Sequence, residues 1–301
     1  MSDQTARWQS RPEAGTRAGL QFLRWIARHL GRRILHALLV PVSVYFCLVR
    51  GPERRASRAY LGRVFGRPAR WGEVLKHFHQ FAKVAADRFY FLAGQADDIP
   101  VTFVLDPKLQ QVLDAGKPGI FLAAHFGSFE AARVIGPEMG GIVLRIVLDK
   151  GVNQRFMQVL AEVQPELAEL IIDSEQDAVS LGLNIRDALQ SGDWIGFLAD
   201  RHRPGDRIHQ QEFLGAPAAF PIGPYIIANL FKTPIICTFC RLTDKGYEVH
   251  CEVLSSHTEI ARHRRQQGIE QLLSDYVAKL EHHVYACPYA WFNLYDFWDA
   301  Q

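Results

Sequence analysis

The chain has 301 residues, 48% hydrophobic and 22% charged, with a formal net charge of +2. These proportions exclude a disordered, fibrous or collagenous protein and leave room for one large domain or two modest ones. Five widely spaced cysteines, an odd number, argue against a disulfide scaffold and point to a reducing, cytoplasmic setting.

The charge is unevenly placed. Residues 1–70 hold 14 arginines and no lysine against Asp3, Glu13 and Glu53, a net +11, while the remainder sets 20 basic against 29 acidic residues, −9. Such an arm binds nucleic acid, anionic lipid or an acidic protein, and the residues between the arginines decide which. Leu20, Leu23, Ile26, Ala27 and Leu30 recur at helical spacing with Arg17, Arg24 and Arg28 on other faces, the pattern of a basic interfacial helix. Residues 34–49, ILHALLVPVSVYFCLV, contain no charged residue and are flanked by Arg32, Arg33 and Arg50. The run is shorter than the roughly 20 residues of a spanning helix and Pro41 is expected to interrupt it, so a membrane-seated segment is predicted, with a buried helical hairpin as the alternative. It also comes too late, and lacks the small-residue cleavage site, for a secretory signal, which keeps the rest on the cytoplasmic side.

Arg54, Arg55, Arg58, Arg63, Arg67 and Arg70 continue the basic series without the aromatic interleaving of single-strand nucleic-acid grooves. No nucleic-acid partner is expected; the series suits lipid headgroups or an acidic protein. Residues 71–92 place Val74, Leu75, Phe78, Phe81, Ala82, Ala85, Phe89 and Leu92 on a helical stripe. His77 and His79 fall on different faces of it and read as surface or packing residues.

After Pro100 short apolar runs alternate with helical stretches, the signature of an α/β domain with a βαβ sheet. Strands are predicted at 119–124, 142–148, 170–173, 194–199, 234–240 and 247–253, and helices at 129–135, 153–163, 178–190, 222–231 and 264–286. The chain therefore divides into a helical arm, 1–97, and an α/β domain, 98–301.

In open α/β sheets ligands sit outside the carboxyl ends of strands. The first predicted strand runs into His125-Phe126-Gly127-Ser128-Phe129-Glu130, with Ser128 placed to start a helix. Glu130 can fold back onto the His125 imidazole, fixing its tautomer and leaving the other nitrogen as a general base. Gly127 permits close backbone approach, and the amides of the turn can hold a developing oxyanion. A structural capping role is the alternative.

These residues resemble the first block of the bacterial lipid A late acyltransferases, within the wider His-x4-Asp/Glu acyltransferases that include the glycerophosphate type. Residues 195–201, IGFLADR, resemble the second block, in which an Asp follows an apolar strand. Residues 213–217, FLGAP, and 220–224, FPIGP, resemble the stretch that shapes the substrate groove, and Thr233 through Arg241 the following strand and its arginine. The basic arm is similar to the family's membrane arm. The chain departs from the pattern in lacking an arginine followed closely by glycine between 163 and 180, in reading Asp200-Arg201-His202 where Asp-Gln is commoner, and in its terminal aromatic run.

The resemblance implies a mixed, mostly parallel sheet flanked by helices, as in glycerophosphate acyltransferases, at the cytoplasmic face of a bacterial inner membrane. It implies transfer of a fatty acyl chain from acyl carrier protein, or less often acyl-CoA, to a hydroxyl or amine of a membrane lipid. His125 is the expected base and Glu130 its partner. Gly127, Ser128, Asp200, Arg201, Phe213, Gly215, Pro221 and Arg241 are expected around the substrate, with Asp200 on the turn, on a substrate hydroxyl or purely structural. Arg201 and Arg241 are candidates for a phosphate or for salt bridges. Arg32, Arg33, Arg50, Arg54, Arg55 and Arg58 are expected on lipid headgroups or the acidic carrier. No covalent intermediate is needed, since no G-x-S-x-G occurs.

No cofactor or metal is expected. Cys237 and Cys240 have CxxC spacing within a strand, where they face opposite sides, and His250, His257, His282 and His283 form no coherent ligand set in sequence. Pro204-Gly205-Asp206 reads as a turn. The aromatic residues 291–298 fit either interfacial anchoring or packing against the arm. Two rivals remain: a thioester hydrolase, for which the arm is superfluous, and a non-catalytic lipid- or carrier-binding protein, for which the His/Glu pair is superfluous.

Overall fold

The computed structural model describes residues 31–92, 96, 98–133, 141–151 and 154–298. Three helices come first: α1 (Arg32–Val49), α2 (Gly51–Phe65) and α3 (Trp71–Leu92). The α/β part runs β1 (Val101–Leu105), α4 (Leu109–Asp114), β2 (Ile120–Ala123), α5 (Phe129–Arg133), β3 (Leu144–Leu148), α6 (Gln154–Val163), α7 (Pro165–Glu169) and β4 (Ile171–Asp173). It continues α8 (Ala178–Gln190), β5 (Trp194–Leu198), β6 (Ile208–Phe213), β7 (Ala216–Pro221), α9 (Gly223–Phe231), β8 (Ile235–Thr243), β9 (Gly246–Ser255) and α10 (Arg265–Ala286).

Seven strands form one sheet in the order β1-β9-β8-β2-β5-β3-β4. Every pairing is parallel except β8 with β9, which are joined by a tight turn and run antiparallel. The predicted mixed, mostly parallel α/β sheet is what forms. β2 lies at its centre, apolar on both faces and wholly buried, as a strand covered by helices must be. β1, α4 and the separate β6–β7 hairpin were not predicted. The hairpin closes on Leu214 and Gly215, both at positive φ (51° and 74°), the two-residue turn whose twist matches its strands.

The helix at 34–49 passes unbroken through Pro41, contrary to the predicted interruption. Pro41 lies on the exposed side, while Leu35, Leu39, Ser43 and Cys47, four residues apart, are buried in the packing of α1 on α3. Contacts along that stripe hold the helix through the one hydrogen bond proline removes. The opposite face leaves Ile34, Leu38, Val42, Tyr45 and Leu48 between 39% and 60% exposed. Among the described residues α1 is the one helix long and apolar enough to cross a membrane. The helix predicted around Leu20 to Leu30 lies outside the described residues.

The arm is tied to the sheet by buried polar links. Asp87 of α3, fully buried, accepts from Arg32 Nε (2.9 Å) and Nη2 (2.7 Å), pairs with His36 Nε2 (2.8 Å), and accepts from Tyr247 of β9 (2.8 Å). His77 is buried between Ser57 Oγ (2.8 Å) and the Trp291 carbonyl (3.0 Å). Tyr60 donates to the Pro288 carbonyl at 2.6 Å. The terminal aromatic run packs inward: Trp291 is fully buried against Tyr60, Phe213 and Phe297.

Candidate active site

The site follows from strand register. In the parallel pair of β2 and β5, Ala123 stands opposite Leu198, and the ladder continues with the Ala199 amide donating to the Ala123 carbonyl at 2.8 Å. Two residues further along each strand the pair is His125 and Asp200. Their side chains meet: His125 Nδ1 lies 2.9 Å from Asp200 Oδ1. Asp200 is completely buried and also accepts from the Trp291 indole (2.9 Å), while Arg201 Nε stands 3.6 Å from Oδ2.

This corrects the expected pairing. Glu130, in the first turn of α5, turns to Arg88 of α3, 2.5 Å from its Nε, and Ser128 Oγ lies 3.5 Å away. The imidazole is oriented by Asp200 instead. With Nδ1–H donated to the carboxylate, Nε2 keeps its lone pair, the arrangement a general base requires. Burial lowers the His125 pKa, the Arg201 and Arg88 charges lower it further, and Asp200 pulls the other way. The imidazole is therefore neutral at pH 7 and able to accept a proton. Burial pushes the Asp200 carboxyl up, but the His125 charge and hydrogen bond, Arg201 and the Trp291 donor together hold it well below the usual carboxylate range.

The loop after β2 is held on both sides. Gly127 has φ +66°, and a Cβ there would lie 1.7 Å from the Cys240 carbonyl oxygen, so only glycine fits. Its amide donates to the Ala290 carbonyl at 2.8 Å and is thus not free to hold an oxyanion. Ser128 is buried and accepts from the Ala131 amide (3.1 Å), starting α5 as expected. His125 itself keeps 32% of its side chain accessible, opening onto a cavity of about 560 Å³, within the range typical of small-molecule sites. Its walls are mostly apolar, among them Leu144, Ile146, Leu160, Phe197, Ile227 and Phe292, and its polar lining includes His125, Glu130, Arg88, Arg201, Arg203 and Arg207.

Of the residues expected around a substrate, Gly127, Arg201 and Pro221 line this cavity, and Asp200 lies beneath its histidine. Arg201 is anchored by the Phe292 carbonyl (2.7 Å) and lies over the Tyr295 ring. Phe213 is not at the cavity: it is fully buried in the aromatic cluster, because the hairpin folds it against Trp291 and Trp298. Gly215 is an exposed turn residue. Arg241 points away, paired with Glu248 and donating to Cys287 Sγ (3.3 Å).

The arm arginines divide. Arg32 is spent on Asp87, and Arg54 caps α1 by donating to the Cys47 (2.7 Å) and Leu48 (2.8 Å) carbonyls. Arg50 lies 3.8 Å from Glu53, and Arg58 donates to the Ala69 carbonyl while remaining exposed. Arg33 and Arg55 are exposed. Sequence reasoning missed Arg88, Arg203, Arg207 and Trp291. The signal for Trp291 was its place in the aromatic run; Arg88 carried none, since a cation on an amphipathic helix ordinarily faces water.

A family model described as bacterial lipid A biosynthesis acyltransferase matches residues 13–299. A search of curated proteins returns no match.

Proposed function

The chain belongs to the bacterial lipid A biosynthesis acyltransferase family and is therefore an acyltransferase, and from that premise we propose that it moves a fatty acyl chain from acyl carrier protein to a lipid hydroxyl or amine at the cytoplasmic face of the inner membrane. The observation that carries the mechanism is the His125–Asp200 pair, with His125 in the wall of a mostly apolar cavity. The acyl chain of the thioester lies along the apolar walls. His125 Nε2 takes the proton of the acceptor as its oxygen or nitrogen attacks the thioester carbonyl, and Asp200 stabilises the imidazolium that results. The tetrahedral intermediate collapses with cleavage of the C–S bond, and the thiolate leaves with the proton held by His125. Positive charge on Arg88, kept in place by Glu130, and on Arg201 flanks the developing oxyanion. Glu130 thus serves as a positioning residue.

The arm, 1–97, is the membrane-associating part. The exposed apolar face of α1 supports seating in one leaflet: a helix whose other face packs on α3 cannot be surrounded by lipid. Exposed Arg33, Arg55 and Arg58 add roughly 1 kcal/mol each near an anionic surface. The test uses membrane-bound protein, a lipid extract and acyl carrier protein charged with labelled acyl chain, with labelled acyl-CoA as a parallel donor. Label reaching a new lipid from the carrier, and only with His125 intact, is the expected result. Transfer by His125→Ala at the wild-type rate overturns the mechanism, and transfer from acyl-CoA alone overturns the donor.

A further inference from the structure

Away from the cavity, β9 and the last turns of α10 bring two histidines and a carboxylate together. Strand alternation puts Glu248, His250 and Glu252 on one face of β9, and the four-residue helix spacing of Lys279 and His283 aims both at that face. Glu252 receives Lys279 Nζ on Oε2 (2.6 Å) and His283 Nε2 on Oε1 (2.6 Å). The His250 and His283 rings lie 5.0 Å apart, and one ligand-capable atom each of His250, Glu252 and His283 lies within 4.8 Å of the others.

We propose that His250, Glu252 and His283 bind a first-row divalent cation, with zinc the best fit. Two imidazoles, one carboxylate and no thiolate, with a fourth position open to water, make a donor set this ion favours, whereas magnesium and calcium take oxygen ligands. Tetrahedral bonds of about 2.1 Å set neighbouring donor atoms about 3.4 Å apart, so the widest pair closes by at most about 1.4 Å while Glu252 and His283, now 2.6 Å apart, open by about 0.8 Å. His250 and Glu252 are half-buried and can make both movements. His283 is already fixed, stacked on Phe239 at 4.4 Å. Supporting partners are in place as well. Glu248 holds His250 Nε2 at 2.6 Å, and Lys279 holds the Glu252 oxygen that the ion does not need. On binding, the His283 proton now shared with Glu252 leaves Nε2, and the ion takes its place between the two side chains. The result is a clip joining the end of α10 to β9, behind the ring of Phe126 next to the catalytic histidine.

The test takes untagged full-length protein in detergent, stripped with chelator, and titrates it with Co²⁺ and then Zn²⁺. One Co²⁺ per chain is expected, with the absorption of a tetrahedral site, displaced by Zn²⁺, and with a rise in Tm. His250→Ala is expected to keep the metal-free Tm and bind at least tenfold more weakly, and Glu252→Gln is the second variant should the first fail to fold. Absence of a tetrahedral cobalt spectrum in the wild type, or equal binding by the variants, overturns the site.

Discussion

Three neighbours set the state of His125, the proposed base. Asp200 raises its basicity while burial, Arg201 and Arg88 lower it, so the acid limb of the pH profile of kcat/KM is expected below the ordinary histidine value of about 6.5. Asp200→Asn removes the carboxylate charge that favours the cation, and the acid limb should move to lower pH still. Glu130 and Arg88 act as a pair, and their alanine variants should not multiply: a double-mutant cycle on kcat/KM is expected to show the second substitution costing much less than the first, and full multiplication would separate them. Fully buried His77, between Ser57 and Trp291, has its pKa lowered to about 4 by burial. The unfolded chain takes up this proton near pH 6.5 and the folded one only near 4, so stability present above 6.5 is lost as pH falls through that window, about 3 kcal/mol in all. Unfolding by denaturant at pH 7 and pH 4.5 reads the difference, and His77→Gln should flatten it.

At the scale of elements, periodicity was the dependable guide. The predicted helices 71–92 and 178–190 form with those bounds, and all six predicted strands form within a few residues of their expected ends. What sequence could not carry was partnership between elements. His-x4-Glu lies within one turn and invites a local contact, while Asp200 reaches His125 only through the register of β2 on β5, 75 residues apart. The hairpin was missed because Pro217 and Pro221 suppress the strand signal. They are accommodated because β6 and β7 form a sheet of only two strands. The two faces of α1 make opposite predictions. Leu39→Ala, on the buried stripe, should cost about 2–5 kcal/mol of stability, whereas Leu38→Asp with Leu48→Asp, on the exposed face, should leave Tm nearly unchanged and reduce flotation with anionic vesicles several-fold. Loss of stability without loss of flotation in the second variant would contradict the seating of this face in lipid.

For the molecule as a whole, the charge asymmetry was legible and its meaning only partly so. A net +11 over residues 1–70 points to an anionic surface, yet Arg32 and Arg54 are used inside the fold, one on a buried carboxylate and one on helix-end carbonyls. Arg33 and Arg55 stay exposed and are the arginines proposed to meet that surface. Arg33→Gln with Arg55→Gln should weaken vesicle binding at low salt and matter little at high salt, and Arg54→Ala should lower Tm instead. The cavity, its arginine lining and the His250–Glu252–His283 cluster are tertiary products, assembled from segments that lie far apart in the chain. His125 is proposed as a base oriented by Asp200. The most direct measurement is the rate of label transfer from saturating acyl carrier protein thioester by Asp200→Asn. A fall of roughly a thousandfold or more, with donor binding retained, is expected, and transfer near the wild-type rate would contradict it.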